Sequence, residues 1–382
     1  MHRRFFIWLT AIPSLIRLLL FVLGCIVTLE RGADAATWST TDLKSGAALP
    51  SGTTSFNAVT VTWQVGNYLS DGLQIYALLC TPASLPAPYP VAILNHGLVL
   101  PASGFPPKYP GIQSMGWIGC TEMAGDGWLT AITTYRGEFI DQLPAPFANF
   151  RGASGGLLEL CLGEVDDVLN LLSAVTAMTD ANANQVIMWG HSHGGCITER
   201  AVEKGAAVRI AVSLDGPTDF TTWSGNNKVL APTTADQHAR SSAWAGNNPA
   251  TLAQTRFLRV QAEADTTVTP DQACELASKL PGSVNYYVDS GVTPLGVYHG
   301  APKECAAFAI PWVNWPAGKV SYVLPDEVKG GIWSSPTLLM YSGLDHALIQ
   351  GKAWPEFASF VNTVAQSDGW HASIPSEYIP FY

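Results

Sequence analysis

Apolar and polar residues alternate strictly from Val59 to Val65, with Val59, Val61, Trp63 and Val65 on one side and Thr60, Thr62 and Gln64 on the other. That period of two predicts a half-buried strand. Asp71 and Gly72 then precede a second run, Leu73 to Leu79, so the pair predicts two antiparallel strands joined by a turn. Ahead of them, Trp38 to Phe56 is rich in Ser, Thr, Gly and Ala without any period and predicts an extended lead-in. Further along, the alternation stops. Tyr89 to Asn95 and Trp128 to Thr134 are short continuous apolar runs, ending at His96-Gly97 and at Tyr135-Arg136-Gly137-Glu138. Such runs suit strands covered on both faces. Between Gly155 and Leu172, the residues Leu162, Val165, Val168, Leu169 and Leu172 recur at helical spacing and predict an amphipathic helix. Strands at Val208–Leu214, Phe257–Ala262 and Val284–Val288 follow, with helices at Gly194–Lys204 and Pro270–Leu280 between them. Strand and helix in repeated alternation predict an α/β fold with a mainly parallel, doubly wound sheet preceded by antiparallel strands.

Two stretches stand outside this pattern. Residues 220–255, rich in Ser, Thr, Asn and Ala and carrying Trp223 and Trp244, separate two strands; they read as a lid-like insertion above the ligand crevice, or as an inert surface excursion. Residues 1–35 read as a leader: a basic start with Arg3 and Arg4, an apolar stretch from Phe5 to Leu29, and Ala33-Asp34-Ala35 as a small-x-small cleavage pattern. Export to a secreted or periplasmic location is the expectation, an uncleaved N-terminal anchor the alternative. A twin-arginine signal at Arg3-Arg4 and a lipoprotein site at Cys25 are weaker variants of the same reading. Residues 36–382 then form one domain, with 300–382 as a C-terminal extension.

Composition narrows the picture further. The 382 residues are 47% hydrophobic and only 13% charged, with 13 Trp, 35 Gly and 26 Pro, which excludes disorder and predicts a packed globule with many loops. The formal net charge is −10, and the leader carries four arginines against two acids, so the exported part is more acidic still. Such a surface repels phosphate backbones, and nucleic acid is excluded as a partner. Beyond Cys25 the cysteines are Cys80, Cys120, Cys161, Cys196, Cys274 and Cys305. An even set in an oxidising compartment predicts disulfides, and pairing in chain order would join 80 with 120, 161 with 196, and 274 with 305.

The candidate chemistry centres on Ser192. Gly190-His191-Ser192-His193-Gly194 matches G-x-S-x-G between an apolar run and a helical pattern, the context of a nucleophile elbow. The glycines leave room for a crowded turn, and the following helix N-terminus brings N–H groups toward a developing oxyanion. A serine hydroxyl attacks an acyl carbon only when an imidazole takes its proton and a carboxylate orients that imidazole. In chain order the acid comes first. Asp265, directly after a strand and ahead of a helix near Pro270, is the candidate; Glu263 is the nearest spare carboxylate and Asp219 lies one strand too early. For the base, His299 after strand 284–288 is preferred to His346, which has its own apolar lead at Thr337 to Tyr341; His371 lies too close to the terminus. No metal-ligand spacing or cofactor fingerprint accompanies His191 and His193, so neither metal nor cofactor is expected.

Taken in order, Asp71-Gly72, Asn95-His96-Gly97, Tyr135-Arg136-Gly137, Gly163 to Val168, Gly190 to Gly195 and Asp265 to Pro270 resemble the α/β-hydrolase superfamily, nearest to its prolyl oligopeptidase-type and dienelactone hydrolase-like branch. The resemblance implies a serine hydrolase in which Ser192 attacks, Asp265 orients and a later histidine transfers protons. It also implies an oxyanion hole from the backbone N–H groups of His193 and Leu98. One departure is Ala262, where the family usually has glycine three residues before the acid. The expected activity is hydrolysis of a small-molecule carboxylic ester through an acyl-serine. A peptidase on short peptides and an inactive hydrolase-fold binding protein are the alternatives. Trp223, Trp244, Trp312 and Trp315 are candidates for an aromatic pocket, or for core packing.

Overall fold

The alternating segment and its neighbour pair antiparallel: β2 (Val59–Ser70) runs against β3 (Leu73–Thr81), with Ser70 opposite Leu73. The turn between them puts Asp71 and Gly72 at φ 51° and 74°, left-handed values that Asp tolerates and Gly adopts without strain. The computed structural model describes residues 36–98, 109–223, 233–289, 296–297, 302–312, 335–347 and 349–375. The leader read from residues 1–35 lies outside them.

The remaining strands are β1 (Ser51–Phe56), β4 (Tyr89–Asn95), β5 (Tyr109–Pro110), β6 (Leu129–Thr133), β7 (Glu138–Phe139), β8 (Ala181–His191), β9 (Ile210–Leu214), β10 (Arg256–Ala262), β11 (Val284–Asp289), β12 (Gly296–Val297) and β13 (Thr337–Tyr341). The helices are α1 (Ser114–Gly125), α2 (Gly163–Thr176), α3 (His193–Glu203), α4 (Thr234–Arg240), α5 (Asp271–Lys279) and α6 (Ile349–Ser367). The main sheet has the order β1-β2-β3-β6-β4-β8-β9-β10-β13-β11-β12. Every pairing from β6 to β11 is parallel, while β1, β2, β3 and β12 join antiparallel.

Both faces of the parallel part are covered, which is why its strands read as unbroken apolar runs. Ala92 and Leu94 of β4 and Ile187 and Trp189 of β8 pack into one core with α1 and α6, while Val91, Ile93, Val186 and Met188 face the other core with α2 and α3. Each of these large aliphatic side chains contributes about 1.5–3 kcal/mol by burial. Trp189 adds aromatic contacts with Trp354 and Phe357 of α6, ring centroids 6.4 and 5.1 Å away. That packing fixes α6 beneath β8.

Three features differ from the sequence expectation. The lead-in contains β1, an edge strand whose ladder to β2 uses backbone groups and needs no apolar period. Helix α1 has buried small residues, Gly116, Gly119 and Ala124, rather than a stripe of large ones, so its sequence carries no helical signal. The helix expected from Gly155 begins only at Gly163, because Leu160 and Cys161 hold φ of 50° and 59° and break the run.

The cysteines pair in chain order, Cys80–Cys120, Cys161–Cys196 and Cys274–Cys305, with Cα separations of 5.8, 6.0 and 5.4 Å. Among the described residues, no helix is long and apolar enough to cross a membrane.

Candidate active site

Ser192 stands alone between β8 and α3, with φ 55° and ψ −118°. A non-glycine residue at positive φ is strained, and the surroundings hold it there. Its N–H donates to Leu214 O at 2.8 Å, and its own carbonyl accepts from Cys196 N at 3.2 Å. The glycines around it are required by close approach. A Cβ on Gly190 would collide with the Gly194 backbone, one on Gly194 with Asn95 O, and one on Gly195 would lie 2.9 Å from Leu214 O. The turn therefore projects the serine side chain at the carboxyl end of the sheet, half-buried, at the N-terminus of α3.

Asp265 lies three residues beyond the end of β10 and is 2% exposed. Its Oδ1 accepts from the Thr267 and Val268 N–H groups at 2.7 and 2.9 Å, which fixes the carboxylate plane. Oδ2 remains for one more partner. That partner is His346 Nδ1, 2.6 Å away, while His346 Nε2 lies 2.9 Å from Ser192 Oγ. With the carboxylate accepting at Nδ1, the neutral imidazole leaves Nε2 free to accept the serine proton.

Sheet order explains how these residues meet. β13 inserts between β10 and β11, so the loop after β13, not the loop after β11, borders the loop after β10. The two loops are joined by Glu263 N–H to Tyr341 O at 2.9 Å, Ala264 N–H to Leu344 O at 2.8 Å, and Gly343 N–H to the Glu263 carboxylate at 3.2 Å. Glu263, the spare carboxylate of the sequence reading, thus ties the loops together and also accepts from Tyr287 OH at 2.5 Å. Asp219 accepts from Thr221 in its own turn, and His371 is exposed. His299, preferred from the sequence as the base, lies outside the described residues. The imidazole joined to both Ser192 and Asp265 is that of His346.

His191 and His193 point away from the serine into the protein. His191 Nε2 donates to His346 O at 2.9 Å and its Nδ1 accepts from the Gln350 amide at 2.9 Å. Burial, and then the neighbouring His346, hold His191 well below the ordinary histidine range. The neutral ring thereby braces the backbone that carries His346. His193, the first residue of α3, is 2% exposed, and burial lowers it to about 3.

Leu98, partly buried, follows β4 through His96-Gly97. The His96 ring faces oxygen on both sides: Gly97 O is 2.8 Å from Nδ1, while Thr133 O and the Glu138 carboxylate are 3.0 and 3.2 Å from Nε2. Oxygen on both sides favours N–H donation from both ring nitrogens, as in the imidazolium. Burial opposes that charge, yet Glu138 and the carbonyls raise His96 above its usual value. Tyr135 stacks on the same ring at 4.3 Å. The turn ahead of Leu98 is thus anchored by the buried contact of His96 with Glu138 and the two carbonyls.

Asp215, at the end of β9, had no place in the sequence reading, yet it lies 3.8 Å from His346 Nδ1. Its signal was present: an apolar strand ending in an acid, the pattern that singles out Asp265. His191, Asp215 and His346 place donor atoms within 4.8 Å of one another. The ring nitrogens of both histidines are taken by the hydrogen bonds above, so this is a hydrogen-bonded cluster and not a cation cage. Of the tryptophans, Trp223 is buried with Nε1 donating to Thr267 O at 2.8 Å, and Trp244 is 36% exposed and stacks on His238. Trp315 lies outside the described residues.

A mostly parallel sheet with antiparallel N-terminal strands, and a serine at the tip of a strand-turn-helix, define an α/β-hydrolase fold. Within that class, residues 157–299 match the prolyl oligopeptidase family. No curated protein matches the chain. Among solved structures, the Pyrococcus horikoshii acylaminoacyl peptidase is 15% identical, with 60% of this chain and 34% of that one covered and a TM-score of 0.41. Acetyl xylan esterase 1 of Thermoanaerobacterium sp. is 12% identical over 82% of this chain and 87% of that one, TM-score 0.48. A Klebsiella pneumoniae protein described as a dienelactone hydrolase is 13% identical over 85% and 98%, TM-score 0.43. The chain spans about a third of the length of the acylaminoacyl peptidase.

Proposed function

We propose that this chain is an exported serine hydrolase that cleaves carboxylic esters, with Ser192 as nucleophile, His346 in place of His299 as the base, and Asp265 as the orienting acid. The observation that carries the reading is the continuous hydrogen-bonded relay from Ser192 Oγ through His346 to Asp265. In it, Oγ adds to the ester carbonyl carbon as its proton passes to His346 Nε2. The carbonyl oxygen becomes an oxyanion, and the backbone N–H groups of His193 and Leu98 are the proposed donors to it. The carbon–oxygen bond to the alcohol then breaks, and the imidazolium proton leaves with the alcohol. Water then adds to the acyl carbon, giving its proton to His346, and the imidazolium returns that proton to Ser192 Oγ as the bond from the acyl carbon to Oγ breaks and the acid is released.

The paired cysteines support an oxidising compartment, and the leader at residues 1–35 supports export. Residues 220–255 are the proposed wall or lid of the acyl pocket. A peptidase acting on short peptides is the second reading, favoured by the match of residues 157–299 to the prolyl oligopeptidase family. A fluorophosphonate probe should label the wild type at Ser192 and leave Ser192→Ala unlabelled. Absence of labelling in the wild type would favour a binding protein without chemistry. Turnover of short-acyl p-nitrophenyl esters well above aminoacyl anilides supports the esterase; the reverse order supports the peptidase.

A further inference from the structure

Asp215 is fully buried, holds φ 45°, and accepts the Ala262 N–H through Oδ1 at 2.8 Å. Ala262 ends β10, so this bond aligns Asp215 with the strand that delivers Asp265. Its Oδ2 lies 3.8 Å from His346 Nδ1, the atom that Asp265 Oδ2 holds at 2.6 Å. Two buried carboxyls therefore face one imidazole nitrogen, from the ends of adjacent strands. Among the described residues, the other charged or titratable groups around Asp215 include His191 from β8, with donor atoms of the cluster within 4.8 Å, and Arg259 from β10, whose guanidinium donates to the next residue's carbonyl, Gly216 O, at 2.7 Å.

We infer that Asp215 is a positioning residue for His346, a second buried carboxyl that takes over the imidazole nitrogen when the side chain at position 265 cannot hold it. Like charges this close cannot both ionise in a buried site. Burial, and then the Asp265 carboxylate, push Asp215 well above the ordinary carboxyl range. A swing of Nδ1 by about 1 Å would bring it to ordinary hydrogen-bonding distance of Asp215 Oδ2. The backbone at position 215 is left-handed, φ 45°, a conformation Asp adopts more readily than most residues.

This inference rests on the proposed serine hydrolase reading, and the test separates the two. Wild type, Ser192→Ala, Asp265→Asn, Asp215→Asn and the double Asp215→Asn/Asp265→Asn variant are assayed with p-nitrophenyl acetate from pH 5 to 9. Asp265→Asn should lose about 100-fold or more in kcat/KM, and the double variant at least about tenfold beyond that. The residual activity of Asp265→Asn should also rise toward alkaline pH, as the buried Asp215 ionises, and this rise should vanish in the double variant. A merely structural role would not move that profile. If Asp265→Asn and the double variant are equally slow with parallel profiles, the inference is overturned while the hydrolase reading stands. Activity retained by Ser192→Ala would overturn both. Should Asp215→Asn fail to fold, Asp265→Asn alone decides: a profile without the alkaline rise overturns the inference.

Discussion

Ser192 at φ 55° and the glycines that surround it bear on one another at the scale of single residues. Gly194→Ala would drive a methyl group into the Asn95 carbonyl, a backbone atom that gives way only if β4 moves. Overpacking of this kind costs about 1–3 kcal/mol or more, and the turn that shapes the serine is what yields. The variant should therefore lose both thermal stability and fluorophosphonate labelling, measured on the same preparation. A second expectation concerns the histidines. His346→Ala should lower kcat/KM by about 10³-fold or more with little change in melting temperature, whereas His299→Ala should stay within tenfold of wild type. Ser192 and Asp265 were both legible in the sequence, because each sits at the end of an apolar strand just before a helical pattern. The choice between His299 and His346 was not, since each follows an apolar strand-like run and only strand adjacency separates them.

At the scale of elements, the site depends on the junction of α3, β9 and β10. Arg259 of β10 donates to Glu199 of α3 at 2.6 Å, to Ser213 Oγ of β9 at 2.9 Å, and to Gly216 O and Gln261 at 2.7 Å. Gln261 in turn donates to Val268 O at 3.0 Å, inside the turn whose N–H groups hold Asp265. The helix behind Ser192 and the loop of Asp265 are thus joined through one guanidinium that is 2% exposed. Arg259→Met would leave Glu199 buried without its cation, and breaking such a pair costs about 3–5 kcal/mol. The expected result is a lower denaturation midpoint together with reduced kcat/KM. Unchanged values in both would show that the network is not what aligns Asp265 with Ser192, the proposed acid and nucleophile. None of this was readable in advance, because the partners of Arg259 come from separate segments of the chain, α3, β9 and its own strand.

The whole molecule buries an unusual set of titratable groups, and they set its response to pH. Burial lifts Glu138, Glu164 and Glu356 to about 7 and Glu203 to about 8, against 4.5 for an ordinary glutamate. His96 is raised as well. Groups with raised values bind more protons folded than unfolded, so their contribution is present at the acid end and is lost as pH climbs through the folded values. Buried His191 and His193 have lowered values and act in the opposite sense, but only below about 6.5, where the unfolded rings take up protons. Lowering the pH from 8.5 to 6.5 should therefore raise the melting temperature by a few degrees. A fall over that interval in calorimetry would contradict the sign. Periodicity and motif order determined the fold class and the strand-turn-helix around Ser192 and singled out Asp265 as the candidate acid, because these are encoded locally or in the order of local signals; the cysteine pairing was only one of many that the sequence allowed. Tertiary structure alone decided that β13 slips between β10 and β11, bringing His346 to Asp265, and that Asp215 faces the same ring. Strand neighbours are chosen by packing across segments far apart in the chain, and no local pattern records which edge a late strand will join.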